Sequence, residues 1–120
     1  MRRNLTKSER IKKQKDIRGM FKHAHSVSIK GAKLFFKRND LAQSRFTVTL
    51  VRKYGKAVHR NRAKRVVREI YRLNKNQIKC GFDLVFMLFP SNNDIYSERK
   101  SQIIELLRKA EIFEDNIITD

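Results

Sequence analysis

Basic side chains are concentrated in residues 52–72, at spacings that would align them on a helix. Every fourth position of part of this segment is basic, which on a helix makes one row: Arg60, Lys64, Arg68 and Arg72. Like charges at this spacing repel each other, and a phosphate backbone lying along the row would reverse the sign of that interaction. The planar guanidinium group also fits two phosphate oxygens at once. The segment therefore predicts the binding of a polyanion.

Groups that could carry out chemistry of their own are scarce. Four carboxylates lie among residues 1–79, without the paired spacing that suits a metal ion: Glu9, Asp16, Asp40 and Glu69. The sequence contains no catalytic Ser/His/Asp or Cys/His arrangement and no phosphate-binding glycine loop. Cys80 and the three histidines do not have the spacing of a zinc site. His59, in a basic helix start, is more typical of a phosphate or solvent contact. We predict no catalytic side chain and no metal site, and we expect Cys80 to be a buried, inert thiol.

The charge of the chain is divided unevenly along its length. Residues 1–79 contain 25 Lys and Arg against 4 Asp and Glu, a net of +21, whereas residues 80–120 contain 4 against 8, a net of −4. Self-repulsion at the total of +17 destabilises a compact state, and neutralisation by phosphates relieves it. The imbalance therefore favours a nucleic acid partner over a merely well-solvated surface.

Length and hydropathy indicate one soluble, cytoplasmic domain over residues 1–120. With 40% apolar residues, a chain of this length has room for one core. Its longest apolar run, Leu84–Phe89, is far shorter than the roughly 18 residues that span a membrane, and no apolar segment follows the basic N-terminal residues. We expect residues 1–12 to form a flexible basic arm and residues 111–120 an acidic tail, either ordered or disordered.

Hydrophobic periodicity predicts the elements that position the basic segment. Helical spacing of apolar residues indicates three helices, over residues 13–24, 57–74 and 97–110. Alternating or continuous apolar character indicates strands over residues 27–30, 32–37, 45–52 and 82–89. Residues 38–44 are expected to join the second and third strands as a hairpin. The last strand is expected to be central and buried on both faces.

These elements predict an α+β fold with the order α-β-β-β-α-β-α. The arrangement is a sandwich in which a small mixed sheet packs against helices, and the basic helix joins one parallel pair of strands. On that helix, at 100° per residue, Ala63, Val66, Val67 and Ile70 fall on one side. The basic residues and Asn61 fall on the other side. We therefore expect the helix to pack its apolar face on the sheet and to present its basic face to a partner.

One motif in the basic segment resembles a known family. It reads Lys53-x-Gly55-x-Ala57-Val58-x-Arg60-Asn61-Arg62-x-Lys64-Arg65, followed by Arg68-Glu69, and it resembles the signature of the protein subunit of bacterial ribonuclease P. The resemblance extends to residues 11–13 and 20–23 in the first helix, to residues 26–27 in the first strand and to residues 82–86 in the last. It implies that family's fold, which is ribosomal protein S5 domain 2-like and has the same order of helices and strands.

The resemblance implies a role in tRNA processing. The family removes the 5′ leader of precursor tRNA by hydrolysis of one phosphodiester, as the protein part of a ribonucleoprotein endonuclease. Its catalytic groups belong to the RNA subunit and to Mg²⁺ ions held by the RNA and substrate, without an organic cofactor. The implied partners are ribonuclease P RNA and precursor tRNA, with neither a membrane nor an obligate protein partner. The implied effect of the protein is a lower Mg²⁺ requirement.

Two RNA-binding surfaces follow from the resemblance. The surface for the catalytic RNA would comprise Arg52, Lys53, Lys56, Arg60, Asn61, Arg62, Lys64, Arg65 and Arg68. The surface for the single-stranded leader would be a cleft between the first helix and one sheet face, formed by Ile17, Phe21, Lys33, Phe35 and Lys37. Aromatic rings interleaved with lysines suit the stacking of unpaired bases, while core packing is the alternative for Phe21 and Phe35.

Two departures from the family pattern and one alternative function stand beside this interpretation. Family members often have an aromatic residue at the position of Ile17 and a serine at that of Val51, so the chain would lose stacking at the first and a polar contact at the second.

Composition alone also fits a structural RNA-binding protein such as a ribosomal protein. A DNA-binding helix-turn-helix is disfavoured, because a strand rather than a helix precedes the turn at Gly55.

Overall fold

The computed structural model describes residues 9–11, 13–90 and 95–114. Within these ranges, three α-helices and four strands follow one another in the predicted order: α1 (Gln14–His23), β1 (His25–Ile29), β2 (Ala32–Arg38), β3 (Arg45–Leu50), α2 (Ala57–Asn74), β4 (Phe82–Leu88) and α3 (Tyr96–Lys109). A short 3₁₀ turn, Lys75–Gln77, follows α2. In this part of the chain no helix is both long and apolar enough to cross a membrane.

The strand β4 lies inside the four-stranded sheet, whose order is β1-β2-β4-β3. It pairs antiparallel with β2 and parallel with β3, so the predicted parallel pair joined by the basic helix is confirmed. Leu84, Val85 and Phe86 are all fully buried. A strand with neighbours on both edges and cover on both faces needs apolar residues throughout, which explains the continuous apolar run.

The predicted hairpin between β2 and β3 is wrong. β4 lies between these two strands, so the residues that connect them pass across its end. The hairpin of the sheet is β1–β2 instead, and its turn contains Gly31 at a φ of +90°, a conformation that glycine adopts at little cost. The sequence could not exclude the wrong pairing, because the competing partner β4 comes more than 30 residues later in the chain.

The two faces of the sheet have different covers. α2 and α3 pack on one face over the main core, which includes Leu34, Phe46, Leu84, Phe86 and Leu88. α1 lies on the other face over a smaller cluster built around Ile11, Met20 and Val85. Much of this second face stays only half-buried, and we refer to it as the open face.

Both ends of the described chain are tied to the domain. Ile11, predicted to lie in a flexible arm, is 3% exposed and its N–H donates to the Phe46 carbonyl at 2.9 Å, so the prediction is wrong for residues 9–11. The cause is the cost of leaving an apolar side chain in water beside an open strand edge. At the other end Ile112 is fully buried, which orders the start of the acidic tail. The remainder of the predicted arm (1–8 and 12) and tail (115–120) lies outside the described residues.

A fully buried arginine links the turns around the start of α2. Arg99 of α3 donates from Nη2 to the Tyr54 hydroxyl at 2.7 Å and to the Phe89 carbonyl at 2.9 Å. Its Nη1 donates to the Gly31 carbonyl at 3.2 Å and to Gln102 Oε1 at 2.8 Å. These bonds satisfy the buried guanidinium, whose desolvation would otherwise destabilise the fold. They also hold the turn that leads into the basic helix.

Candidate RNA interface

The helix α2 is anchored to the sheet by its apolar side. Four of its side chains are buried: Ala63, Val67, Ile70 and Tyr71. Val66, which the sequence placed with them, is only half-buried and lies at the border of the apolar side. Burial of this stripe fixes the rotation of the helix, and with it the direction in which the basic residues point.

The opposite side of α2 is basic and open to solvent. Most residues of the predicted surface are exposed: Arg52, Lys53, Lys56, Asn61, Arg62, Arg65 and Arg68. Arg60 and Lys64 are half-buried, and Arg60 donates from Nη1 to the Val51 carbonyl at 3.4 Å. The structure thus gathers all nine residues on α2 and on the turn that precedes it. We refer to these nine residues as the basic face.

The charges of the basic face are not neutralised within the described chain. Glu69 is engaged by Arg72, whose Nε donates to its carboxylate at 3.1 Å. This bond lowers the pKa of Glu69 and raises that of Arg72. Among the described residues, no carboxylate pairs with Arg60, Arg62, Lys64, Arg65 or Arg68. The basic face therefore keeps a dense, uncompensated positive charge that suits a phosphate backbone.

The open face carries the residues predicted for the second surface. Phe21 of α1 meets Phe35 of β2 edge-on, with ring centroids 4.9 Å apart, and Lys33 Nζ lies 4.9 Å from the Phe35 centroid. Ile17 and Phe35 both pack against the small cluster under α1. Lys37 lies two positions further along the same face of β2 and is exposed. The structure brings four of the five residues together at α1 and places Lys37 at the end of the same row.

Exposure separates the binding and core interpretations of these rings. Phe21 is 40% exposed, so it is not a core residue. Phe35, on the sheet, is half-buried and contacts the Phe21 ring. The two departures noted in the sequence have simple places in the fold. Ile17 packs against the small cluster under α1, and Val51 packs against the main core.

A buried carboxylate lies on the open face and was not singled out in the sequence. Asp83 of β4 accepts two hydrogen bonds from Arg45, at 2.9 and 2.7 Å, and a third from Asn39 Nδ2 at 2.9 Å. Burial alone would raise the pKa of Asp83, but the bonds from Arg45 and Asn39 outweigh it and the pKa is lowered. The same bond to Asp83 raises the pKa of Arg45.

A depression lies at the edge of β3, between part of the open face and the end of the basic face. It has a volume of about 210 Å³ and is lined by Arg10, Ile11, Phe46, Thr47, Val48 and Arg68. Thr47 belongs to the open face and Arg68 to the basic face, so the depression borders both. The sequence did not indicate this depression, because Arg10 was assigned to a flexible arm.

The remaining candidates for chemistry lie apart from these surfaces. Cys80 is exposed, so the prediction of a buried thiol is wrong. It lies in the turn before β4 rather than inside the apolar strand, next to Gly81 at a φ of +88°. Within the described residues, no three His, Cys, Asp or Glu side chains are grouped so that they could hold a metal ion.

Comparison with known proteins agrees with this geometry. The family model Ribonuclease P matches residues 5–111. A ribonuclease P protein component of Clostridium botulinum strain Langeland is 38% identical over 109 residues, which cover 89% of this chain and 98% of the relative. The ribonuclease P protein of Staphylococcus aureus, solved at 2.0 Å, superposes with a TM-score of 0.80 at 26% identity over 90% of this chain and all of that one. That of Thermotoga maritima gives a TM-score of 0.75 at 31% identity, covering 84% and 96% of the two chains.

These matches run through both surfaces and cover nearly the whole of the relatives. They confirm the resemblance that the Arg60-Asn61-Arg62 motif indicated, together with the α+β fold. They also decide against an unrelated structural RNA-binding protein, whose composition would have been similar. The chain belongs to the ribonuclease P protein family, the protein components of a tRNA-processing endoribonuclease.

Proposed function

We propose that this chain binds ribonuclease P RNA with the basic face and the 5′ leader of precursor tRNA on the open face. The leader would then be held while the RNA subunit, which carries the catalytic groups, hydrolyses the phosphodiester at the mature 5′ end. The observation that supports this division of roles is that the chain has two surfaces of different chemistry. One surface is densely charged, and the other combines rings with lysines.

The basic face has the chemistry of a docking surface for structured RNA. Exposed arginines on one side of a rigid helix neutralise phosphates without an internal competitor, apart from the Glu69–Arg72 pair. Asn61 adds a neutral donor and acceptor among them, which suits contacts to RNA edges. The buried stripe of α2 and the Arg99 bonds before it keep this surface rigid, so little order has to be acquired on binding.

The open face has the chemistry of a site for unpaired nucleotides. Phe21 exposes part of its ring beside Phe35, and Lys33 and Lys37 lie along the same strand row. Bases stack on such rings while lysines contact the phosphates, and neither contact requires a particular base. Because Ile17 is aliphatic, we expect the stacking to be concentrated on Phe21 and Phe35.

The Mg²⁺ of the reaction would be held by RNA and substrate. The described residues offer no group of three or more His, Cys, Asp or Glu side chains for a magnesium ion, and Asp83 is already occupied by Arg45 and Asn39. The contribution of the chain would be its positive charge, which partly replaces divalent cations in neutralising the assembled RNAs and so lowers the Mg²⁺ requirement.

The test is precursor-tRNA cleavage at low Mg²⁺ with ribonuclease P RNA, with and without this protein. Cleavage that needs both components supports the proposal. Absence of stimulation together with tight binding to ribosomal RNA would overturn it, and cleavage by the protein alone would show that the chain has an active site of its own.

A Phe21→Ala, Phe35→Ala variant should weaken the binding of precursor tRNA with a leader, and leave the binding of mature tRNA unchanged.

A further inference from the structure

A groove between α2 and α3 has a chemistry that neither the basic face nor the open face explains. It has a volume of about 510 Å³, within the range of roughly 300–1,000 Å³ typical of small-molecule sites, and its exposed lining is largely apolar. The residues that line it are Val58, Arg62, Arg65, Val66, Glu69 and Tyr96. We refer to it as the α2–α3 groove. The sequence did not indicate the groove, because Tyr96 belongs to α3, which follows β4 in the chain and is distant in sequence from α2.

Two of its apolar side chains are exposed to solvent. Val58 is 67% exposed and Tyr96 is 37% exposed, although both lie on helices that pack together. Val58 and Val66 are about two turns apart on α2 and line the same groove as the Tyr96 ring. An apolar wall beside an exposed ring is suited to receive a flat, partly apolar group such as a nucleobase.

The charged residues of the groove indicate the nature of that group. Arg62 and Arg65 line the groove and have no ion-pair partner among the described residues, whereas Glu69 is taken up by Arg72. The groove therefore presents, among the described residues, two guanidinium groups without an ion pair beside an apolar wall. A nucleotide has the complementary pair of features, a planar base and an anionic phosphate.

We propose that the α2–α3 groove binds one unpaired nucleotide of the partner RNA, with the base against Tyr96, Val58 and Val66 and the phosphate between Arg62 and Arg65. The proposal rests on the proposed function, because it adds a base-binding pocket to the docking surface for the catalytic RNA. Arg62 and Arg65 belong to the basic face as well, so an RNA bound there passes directly over the groove. A bulged or looped base can turn out of its helix and enter.

A protein partner fits the groove less well than RNA does. The strong positive charge of the surrounding basic face would repel a basic protein surface, and the chain as a whole carries +17. A second copy of the chain would bring the same charge, so self-association through this face is disfavoured. An RNA is attracted by this charge and supplies the planar group.

The experiment compares Tyr96→Ala with Tyr96→Phe in binding to transcribed ribonuclease P RNA from the same organism. Loss of the ring should weaken binding about ten-fold, as expected for one stacked base, while Tyr96→Phe should stay close to the wild type. The matched control is Phe89→Ala, which removes a ring of similar exposure (39%) outside the groove. Circular dichroism and thermal unfolding show whether each variant is folded.

The salt dependence separates stacking from a loss of structure. Tyr96→Ala should weaken binding at every salt concentration with an unchanged slope, because no phosphate contact is removed. Arg62→Ala should lower the slope by about one. Equal binding by folded Tyr96→Ala and wild type would overturn the groove proposal while the proposed function stands. If the wild type itself does not bind ribonuclease P RNA, the proposed function fails instead.

A direct contact can be tested by photocrosslinking. A benzophenone amino acid at position 96 should give adducts at one or a few unpaired nucleotides of the RNA. Adducts confined to a second protein molecule, or no RNA adducts in a complex that still forms, would contradict the proposal. The same amino acid at position 89 is the control, and it should give no adduct at the same nucleotides.

Discussion

Asp83 lies on the open face with a side chain that is 5% exposed, yet it remains charged because Arg45 and Asn39 hold it. Its pKa in the folded chain is below the ordinary value of 3.8. A carboxylate of this kind contributes stability at any pH above its unfolded pKa, and that contribution is lost as the pH falls through the folded value. The pair also fixes Arg45 at one end of the open face, where Asp83 lies between Arg45 and Lys37 of the predicted leader surface.

We expect Asp83→Asn to lower the free energy of unfolding by about 2 kcal/mol at neutral pH, because charge-assisted bonds are removed. The difference between variant and wild type should shrink as the pH falls below the pKa of the unfolded-state carboxyl, about 3.9, because the unfolded chain then takes up a proton before the folded chain does. Urea unfolding followed by circular dichroism at a series of pH values measures both effects.

The control for this prediction is Asp40→Asn. Asp40 is an exposed carboxylate at a φ of +59°, a conformation that asparagine also adopts readily. This variant should follow the wild-type stability curve. Parallel curves for Asp83→Asn and wild type over the whole acid range would show that Asp83 does not stabilise the fold through its charge.

At the scale of elements, α2 combines two functions that its periodicity keeps apart. One side packs on the sheet through fully buried Ala63, Val67 and Ile70, and the other presents the basic face. Because the helix is held by tertiary packing, it tolerates a row of like charges that would destabilise an isolated helix. The repulsion in the free protein then becomes attraction when RNA is bound.

The basic face can be tested with a double substitution. Arg60→Ala with Arg62→Ala should weaken binding to ribonuclease P RNA by at least ten-fold at moderate salt and lower the salt slope by about two, since two phosphate contacts are lost. Filter binding over a range of KCl concentrations measures both. Lys79→Ala with Lys100→Ala removes the same charge outside the basic face and should have a smaller effect. Wild-type slopes in the first variant would count against the proposed docking surface.

Two glycines should respond in opposite directions to the same change. Gly19 lies inside α1, where an added Cβ would meet no atom within 4 Å, so Gly19→Ala should stabilise the protein by about 0.5–1 kcal/mol. At Gly31, with φ at +90°, a Cβ would lie 2.5 Å from Gln102 Nε2. Gly31→Ala should therefore destabilise by about 1–3 kcal/mol. Urea unfolding compares the two, and a shift of the same sign in both would contradict the local backbone geometry at one of these positions.

At the scale of the whole molecule, positive charge is the dominant property. The described ion pairs involve few of the basic residues, and those of the basic face are not among them. Mutual repulsion of these charges opposes the compact state and attracts a polyanion. The free protein is therefore expected to be less stable than the fold alone would suggest, and RNA should stabilise it by binding the folded state.

This repulsion predicts a salt-dependent stability. The melting temperature should rise by several degrees between low and moderate NaCl concentrations, because salt screens the exposed charges. The variant Arg65→Gln with Arg68→Gln should show a smaller rise, since part of the repulsion is already removed. Scanning calorimetry measures the melting temperatures. A constant or falling temperature for the wild type would mean that the charges are too far apart to repel appreciably.

Several features could be predicted from the sequence because they depend on near neighbours in the chain. The bounds of α2, residues 57–74, and the separation of its two sides follow from a periodicity that is complete within the helix. The central place of β4 follows from its continuous apolar run. The Arg60-Asn61-Arg62 motif indicated the family, and the comparisons confirmed it.

Other features were decided only by the tertiary structure. The insertion of β4 between β2 and β3, the attachment of Ile11 along β3 and the Asp83–Arg45 pair each join residues that are more than 30 positions apart. Tyr96 and Arg62, which line the α2–α3 groove together, are also more than 30 positions apart. Local patterns leave several such pairings open, because each strand edge and apolar side chain has more than one partner that could cover it. The choice among them is made by the packing of the whole core, in which all these surfaces must be buried at once.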